Sequence, residues 1–189
     1  MARGPEATER IGWGLADLGY IGVFGTDFVV RGESAVALEI NCRMQASTWL
    51  LGEVELEEEQ LPTMLRHVLE LRGQATAAKA DLAPVQAAQL TLRHQGPPGR
   101  LTGAPVSGVY RMTGGALQWR GKGYGLLECG PDDCVVMHVP QTGTQLMPGV
   151  PLARLVSRRP FTTPDGSALD THGRQLLEGL NTRFTVEAT

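Results

Sequence analysis

Four polar side chains close together in the chain, Asp27, Glu39, Asn41 and Arg43, are of the types that gather a hard cation and an anionic ligand. They interrupt two runs otherwise suited to a sheet, since residues 25 to 48 read GTDFVVRGESAVALEINCRMQAST. The cluster RGES between the runs is turn-forming, so the pair predicts a β-hairpin. Antiparallel pairing about residues 31 to 33 brings the carboxylates of Asp27 and Glu39 near one another. Asn41 shares the strand face of Glu39, because successive side chains alternate. Three oxygen donors then converge. Mg²⁺ takes oxygen ligands, keeps several waters and is commonly held by one or two carboxylates plus substrate phosphates. Continued alternation puts Arg43 on that face too, where a guanidinium can grip a phosphate or carboxylate through paired hydrogen bonds.

The elements that must position this hairpin follow from periodicity. Ile11, Leu15 and Leu18, with Gly19 after them, predict a helix over residues 6–18. EVELEEEQLPTMLRHVLELRG predicts one further helix, with acids at its front, Arg66, His67 and Arg72 at its rear, and Leu61, Met64, Leu65, Val68 and Leu69 as its apolar stripe. The alanine-rich stretch from Gln74 to Leu82 predicts a linker or a solvent-facing helix end. Beyond it come short β-like runs, VQAAQLTLRH, SGVYRM, GLLEC, CVVMHV and PLARLVSRR, separated by Gly and Pro. SALDTHGRQLLEGLNTRF closes the chain as an amphipathic helix with Leu169, Leu176, Leu177 and Leu180 inward. The expected fold is α+β, in two parts: residues 1–73, a hairpin or sheet with flanking helices, and residues 83–189, a β-rich subdomain with a terminal helix.

GYIGVFGTDFVV followed by ALEINCRMQAS resembles the end of the ATP-grasp domain, shared by biotin carboxylase, D-alanine:D-alanine ligase and many amino-acid ligases. In the carboxylase branch an acid after a Gly-Thr element is followed twelve positions on by Glu-x-Asn-x-Arg, which Asp27, Glu39, Asn41 and Arg43 reproduce. The resemblance implies that Asp27, Glu39 and Asn41 bind the Mg²⁺ or Mn²⁺ ions bridging ATP phosphates, with Glu39 and Asn41 among the nucleotide contacts. It gives Arg43 the catalytic role, against the acyl-phosphate or the carboxylate substrate. The chemistry implied is transfer of the terminal phosphoryl group of ATP to a carboxylate, then attack by an amine on the acyl-phosphate with release of phosphate. Ser47 and Thr48 stand where biotin carboxylases carry an acid and a histidine, so an amide-forming ligase is favoured over a biotin-carboxylase-like enzyme. The strong resemblance covers residues 7–72. The family's nucleotide-binding lysines and glycine-rich loop come before this segment, so the chain reads as the C-terminal part of a longer ligase, half of a split one that needs a partner chain, or an inactive remnant serving interaction. Exposed apolar surface with a tendency to associate, including homo-oligomers, is expected where such a lobe would pack. The resemblance also makes Arg111, in SGVYRM, a candidate to reach the site.

Composition narrows the rest. A formal charge of −3 and a pI near 5.8 argue against nucleic-acid binding, which gathers Lys and Arg to neutralise phosphates. Only Lys79 and Lys122 are lysines, among 17 basic residues, and a lysine is the usual point charge for nucleotide phosphates. No apolar run is long enough for a membrane span, and the first residues carry no secretory pattern, so a cytoplasmic protein is expected. The glycines of GLADLGYIGVFG follow a helix and precede a strand, the wrong order for a dinucleotide fingerprint. CGPDDC reads as a hairpin turn from Gly130 to Asp133 flanked by Cys129 and Cys134, with a disulfide as the alternative and metal less favoured for want of partner ligands. His67, His94, His138 and His172 lack a nearby nucleophile pattern and read as structural.

Overall fold

A computed structural model of the chain describes residues 4–32, 34–74 and 86–188. The expected linker, apart from Gln74, lies outside the described residues, as does Glu33 of the hairpin turn. The chain divides into two units, Met1–Ala83 and Pro84–Thr189. The fold is mixed, with antiparallel sheets and helices.

In the first unit, helix α1 (Gly4–Asp17) precedes strands β1 (Gly25–Arg31) and β2 (Ser34–Asn41), which form a two-stranded antiparallel sheet. Gly19, at φ +81°, ends the helical path, and the amide of Tyr20 donates to the Leu15 carbonyl at 2.9 Å. Where one helix was expected there are two, α2 (Thr48–Glu57) and α3 (Thr63–Leu71). Pro62 explains the break: it disfavours helical backbone at Leu61 and can itself stand only at a helix start. The acidic run therefore lies along α2 and past its end, where the helix dipole disfavours negative charge, instead of at a helix front.

Glu55 resolves part of that conflict. Buried at 2% exposure, it turns its carboxylate onto the start of α3, accepting from the amide and the hydroxyl of Thr63, each at 2.5 Å. This capping across two helices predicts that Glu55→Ala lowers unfolding stability by about 1–3 kcal/mol, the cost of leaving buried donors without an acceptor. A urea titration read by circular dichroism measures it. The stripe expected on the second helix is only partly covered: no residue of α3 is buried, and Leu65, Val68 and Leu71 are exposed.

The second unit is built on a five-stranded antiparallel sheet in the order β3 (Ala88–Arg93), β9 (Pro151–Ser157), β7 (Asp133–Met137), β5 (Gly108–Thr113), β6 (Ala116–Gly121). A smaller sheet orders β10 (Thr185–Ala188), β4 (Gly99–Gly103) and β8 (Gln145–Leu146). Helix α4 (Thr171–Asn181) starts where the Asp170 carboxylate accepts from the Gly173 amide at 2.6 Å. Its Leu176 and Leu180 pack with Tyr110, Cys134, Val136, Ala153 and Leu155, the alternate residues of three neighbouring strands. GLLEC, expected as a strand, holds a 3₁₀ turn over Leu126–Glu128 with Leu126 buried. Asp133 belongs to β7, so CGPDDC is a loop leading into that strand and not a hairpin turn between two strands.

The cysteines are free thiols, which corrects the disulfide alternative. Burial pushes the Cys129 and Cys134 thiols up, and Cys129 donates to the Asp133 carbonyl at 3.2 Å. Arg111 forms two hydrogen bonds with the Asp133 carboxylate, at 2.7 and 3.0 Å. Its guanidinium thus has an internal partner in its own unit.

His172, at the start of α4, has its Nε2 buried without a hydrogen-bond partner among the described residues, and its pKa is held below the ordinary value by burial and then by Arg159. The unfolded chain consequently takes up this proton more readily than the native one. The contribution to stability is complete above the unfolded value near 6.5 and drains as pH falls towards the depressed native value. His172→Gln is expected to flatten the thermal midpoint over that interval, as scanning calorimetry at stepped pH would record.

Candidate cation and phosphate site on the hairpin

The register decides which side chains meet. Asp27 lies directly opposite Glu39, and Gly25 opposite Asn41. Residues directly opposite in an antiparallel pair project to one face, so the two carboxylates share it, and Asn41 joins them two residues on. The Asn41 amide approaches Asp27, with Nδ2 3.5 Å from Oδ2. The pairing shifts between Asp27 and Phe28, leaving Leu38 as an extra residue, so the carboxylate end of the hairpin sits beyond a bulge. Past the bulge, Val29 opposes Val36, both exposed, on the same side as Asp27.

Arg43 reaches the site by a different route from the one expected. Strand β2 ends at Asn41, and Arg43 lies in a bend whose amide donates to the Asn41 carbonyl at 2.8 Å. The side chain then folds back, donating to the Asn41 Oδ1 at 3.1 Å and to the Met44 carbonyl at 3.3 Å. Proximity comes from the turn and not from strand alternation. Gln45 lies across Gly25, where any Cβ would collide with its amide, and the Gln45 amide nitrogen of the backbone donates to the Thr48 hydroxyl at 2.9 Å. Thr48 is buried at the start of α2, so it serves the local fold at that position.

The donor set suits a hard cation. Two acceptor-only carboxylates and one amide oxygen, which retains a second lone pair beside its bond to Arg43, are oxygen ligands throughout. Among the described residues no three His, Cys, Asp or Glu side chains gather in a way that could hold a metal alone. Arg43, whose guanidinium is a forked donor, lies beside these oxygens.

His67 was read from sequence as structural, and the structure gives it a specific partner. The Val23 amide, just before β1, donates to His67 Nδ1 at 3.1 Å. Gly22, at φ +118°, permits this: a Cβ there would overlap the imidazole. His94 is buried, with Nε2 2.8 Å from the Pro97 carbonyl. No helix among the described residues is long and apolar enough to cross a membrane.

No protein-family profile and no curated protein sequence matches the chain. Among solved structures, the N5-carboxyaminoimidazole ribonucleotide synthetase from Thermotoga maritima is similar over 98% of this chain, at 14% identity and a TM-score of 0.49. The chain spans 42% of that protein's length.

Proposed function

We propose that the hairpin binds a magnesium nucleotide, and that the chain is the C-terminal part of an ATP-dependent ligase joining a carboxylate to an amine through an acyl-phosphate. The observation that carries this reading is the register: Asp27 opposite Glu39, with Asn41 and Arg43 hydrogen-bonded beside them. Like charges directly opposite in a sheet repel, so the pair has no structural benefit on its own. A divalent cation between them reverses the sign.

Asp27, Glu39 and Asn41 hold the cation in this reading, and Glu39 and Asn41 also orient the phosphates around it. When bound, Mg²⁺ supplies charge neutralisation for the transferring phosphoryl group. Arg43 binds the acyl-phosphate or the substrate carboxylate through its forked donors, so that its charge faces the reacting centre. The apolar pair Val29 and Val36, adjacent on the same side, offers a flat surface for the nucleotide base. Ser47 and Thr48, with Thr48 committed to the Gln45 amide, supply no acid and no base, which favours amide formation over bicarbonate chemistry.

Titration calorimetry of the full chain with Mg-ATP tests this. Saturable binding at millimolar or better affinity is expected. A flat titration would favour a second reading, an interaction module that keeps the fold without the nucleotide. The exposed Val30, Leu38 and Ile40 of the hairpin and the exposed Leu65 and Val68 of α3 speak for that reading, and equally for a complementary lobe or partner chain in the first.

A further inference from the structure

Val23 is held at both of its backbone polar groups by side chains. Its carbonyl accepts from the Tyr20 hydroxyl at 2.6 Å, and its amide donates to His67 Nδ1 at 3.1 Å, a bond spanning 44 residues of sequence. The chain makes room for this contact with a glycine at Gly22, in a backbone conformation that other residues rarely adopt and with no space for a Cβ beside the ring. Two residues beyond Val23 is Gly25, opposite Asn41, and two further on is Asp27. The tie therefore lies at the root of the segment that carries the carboxylate pair. The bulge after Asp27 separates this end from the rest of the ladder, so the His67 bond is a local constraint that the outer register does not duplicate.

The bond depends on protonation state. Only a neutral imidazole has an acceptor nitrogen; the cation presents N–H groups on both sides and cannot receive the Val23 amide. A histidine side chain ordinarily changes charge between pH 5 and 8. Around the ring, in a groove of about 400 Å³, stand Arg66 and Glu70 from α3 and Tyr20 from the loop before β1, with Cys42 acting electrostatically on Tyr20. Arg66, its Nε donating to the Leu61 carbonyl at 2.9 Å, and Glu70 are the charged side chains there.

We propose that His67 is a positioning residue for the hairpin site: neutral His67 fixes the start of β1 so that Asp27 faces Glu39, and protonation of His67 releases that segment and weakens cation binding below neutral pH. The proposal rests on the reading of the hairpin as a cation site. It adds a proton-dependent regulation of that site, exerted from a side chain that touches no ligand.

The test uses Mn²⁺ alone, titrated into the full chain between pH 5.5 and 8 and followed by its paramagnetic resonance signal. Wild type is expected to lose about tenfold in affinity across this interval, the loss of one geometric tie to a ligand-bearing strand. His67→Gln, whose carbonyl oxygen accepts the Val23 amide without titrating, should bind with a flat profile; His67→Phe should bind weakly throughout. Hydrogen-exchange protection of the Val23 amide should fall with pH in wild type and hold in His67→Gln. Mn²⁺ binding with the same pH profile in wild type and His67→Gln overturns the role of His67 and leaves the cation site standing. Absence of Mn²⁺ binding at every pH, with Val23 protection still titrating, overturns the cation site and confines His67 to holding the loop.

Discussion

Glu39→Gln is expected to lower the affinity of the chain for Mg-ATP by about 10- to 100-fold, and at the same time to leave the metal-free protein no less stable. The two signs come from one arrangement. Without a cation, the carboxylates of Asp27 and Glu39 face each other across the ladder and repel, so removing one charge relieves the hairpin. With a cation, the same substitution removes a charged ligand from a shell that holds only two. Asp27→Asn should behave alike, and the pair of substitutions together should leave no measurable binding. Arg43→Lys is informative beside them, because a lysine keeps the charge but loses the fork that grips a carboxylate or phosphate at two points. Calorimetry in the presence of nucleotide and thermal melts in EDTA give the two readouts. If Glu39→Gln destabilised the metal-free protein and left nucleotide affinity unchanged, the carboxylates would be structural and the ligand assignment would fall.

The carboxylate pair was legible as a proximity, because a turn signal places the two strands side by side; the direct opposition of Asp27 and Glu39 was not, since regular pairing outward from Arg31 opposite Ser34 would set Asp27 against Leu38, and only the bulge after Asp27 brings it to Glu39. Arg43 was legible as a neighbour but not in its path, since nothing in EINCR announces that the strand stops at Asn41. The acids of EVELEEEQ were read as a helix front because charge polarity was weighed above Pro62, whose effect on the preceding residue is the stronger constraint. GLLEC has the apolar content of a strand in a segment too short to show a period, and tertiary packing made it a 3₁₀ turn. Strands β4, β8 and β10 went unread for a related reason: each is short, and their pairing is set by partners remote in sequence, whereas β6 went unread although it pairs with the adjacent β5 across the turn at Gly114 and Gly115. The partnership of His67 with Val23 leaves one faint trace, the glycine at Gly22, and no local rule connects that glycine to a helix 44 residues away.

Leu176→Ala is expected to cost about 2–5 kcal/mol of unfolding stability, the largest effect of any single apolar truncation considered for this chain. At 2% exposure, Leu176 packs from α4 against residues of β5, β7 and β9, and its removal leaves a cavity that five paired strands cannot readily collapse. Leu65→Ala in α3 provides the contrast. Leu65 is 46% exposed on a helix that buries none of its residues, and its loss should cost less than about 1 kcal/mol. Denaturant titrations of the two variants, read by circular dichroism, then report how differently the units are held together: one around a core of its own, the other with much of its apolar surface in water. A cost at Leu65 equal to that at Leu176 would mean that α3 is already covered in solution, by association of the chain with itself, and a dependence of the Leu65→Ala midpoint on protein concentration would identify that association.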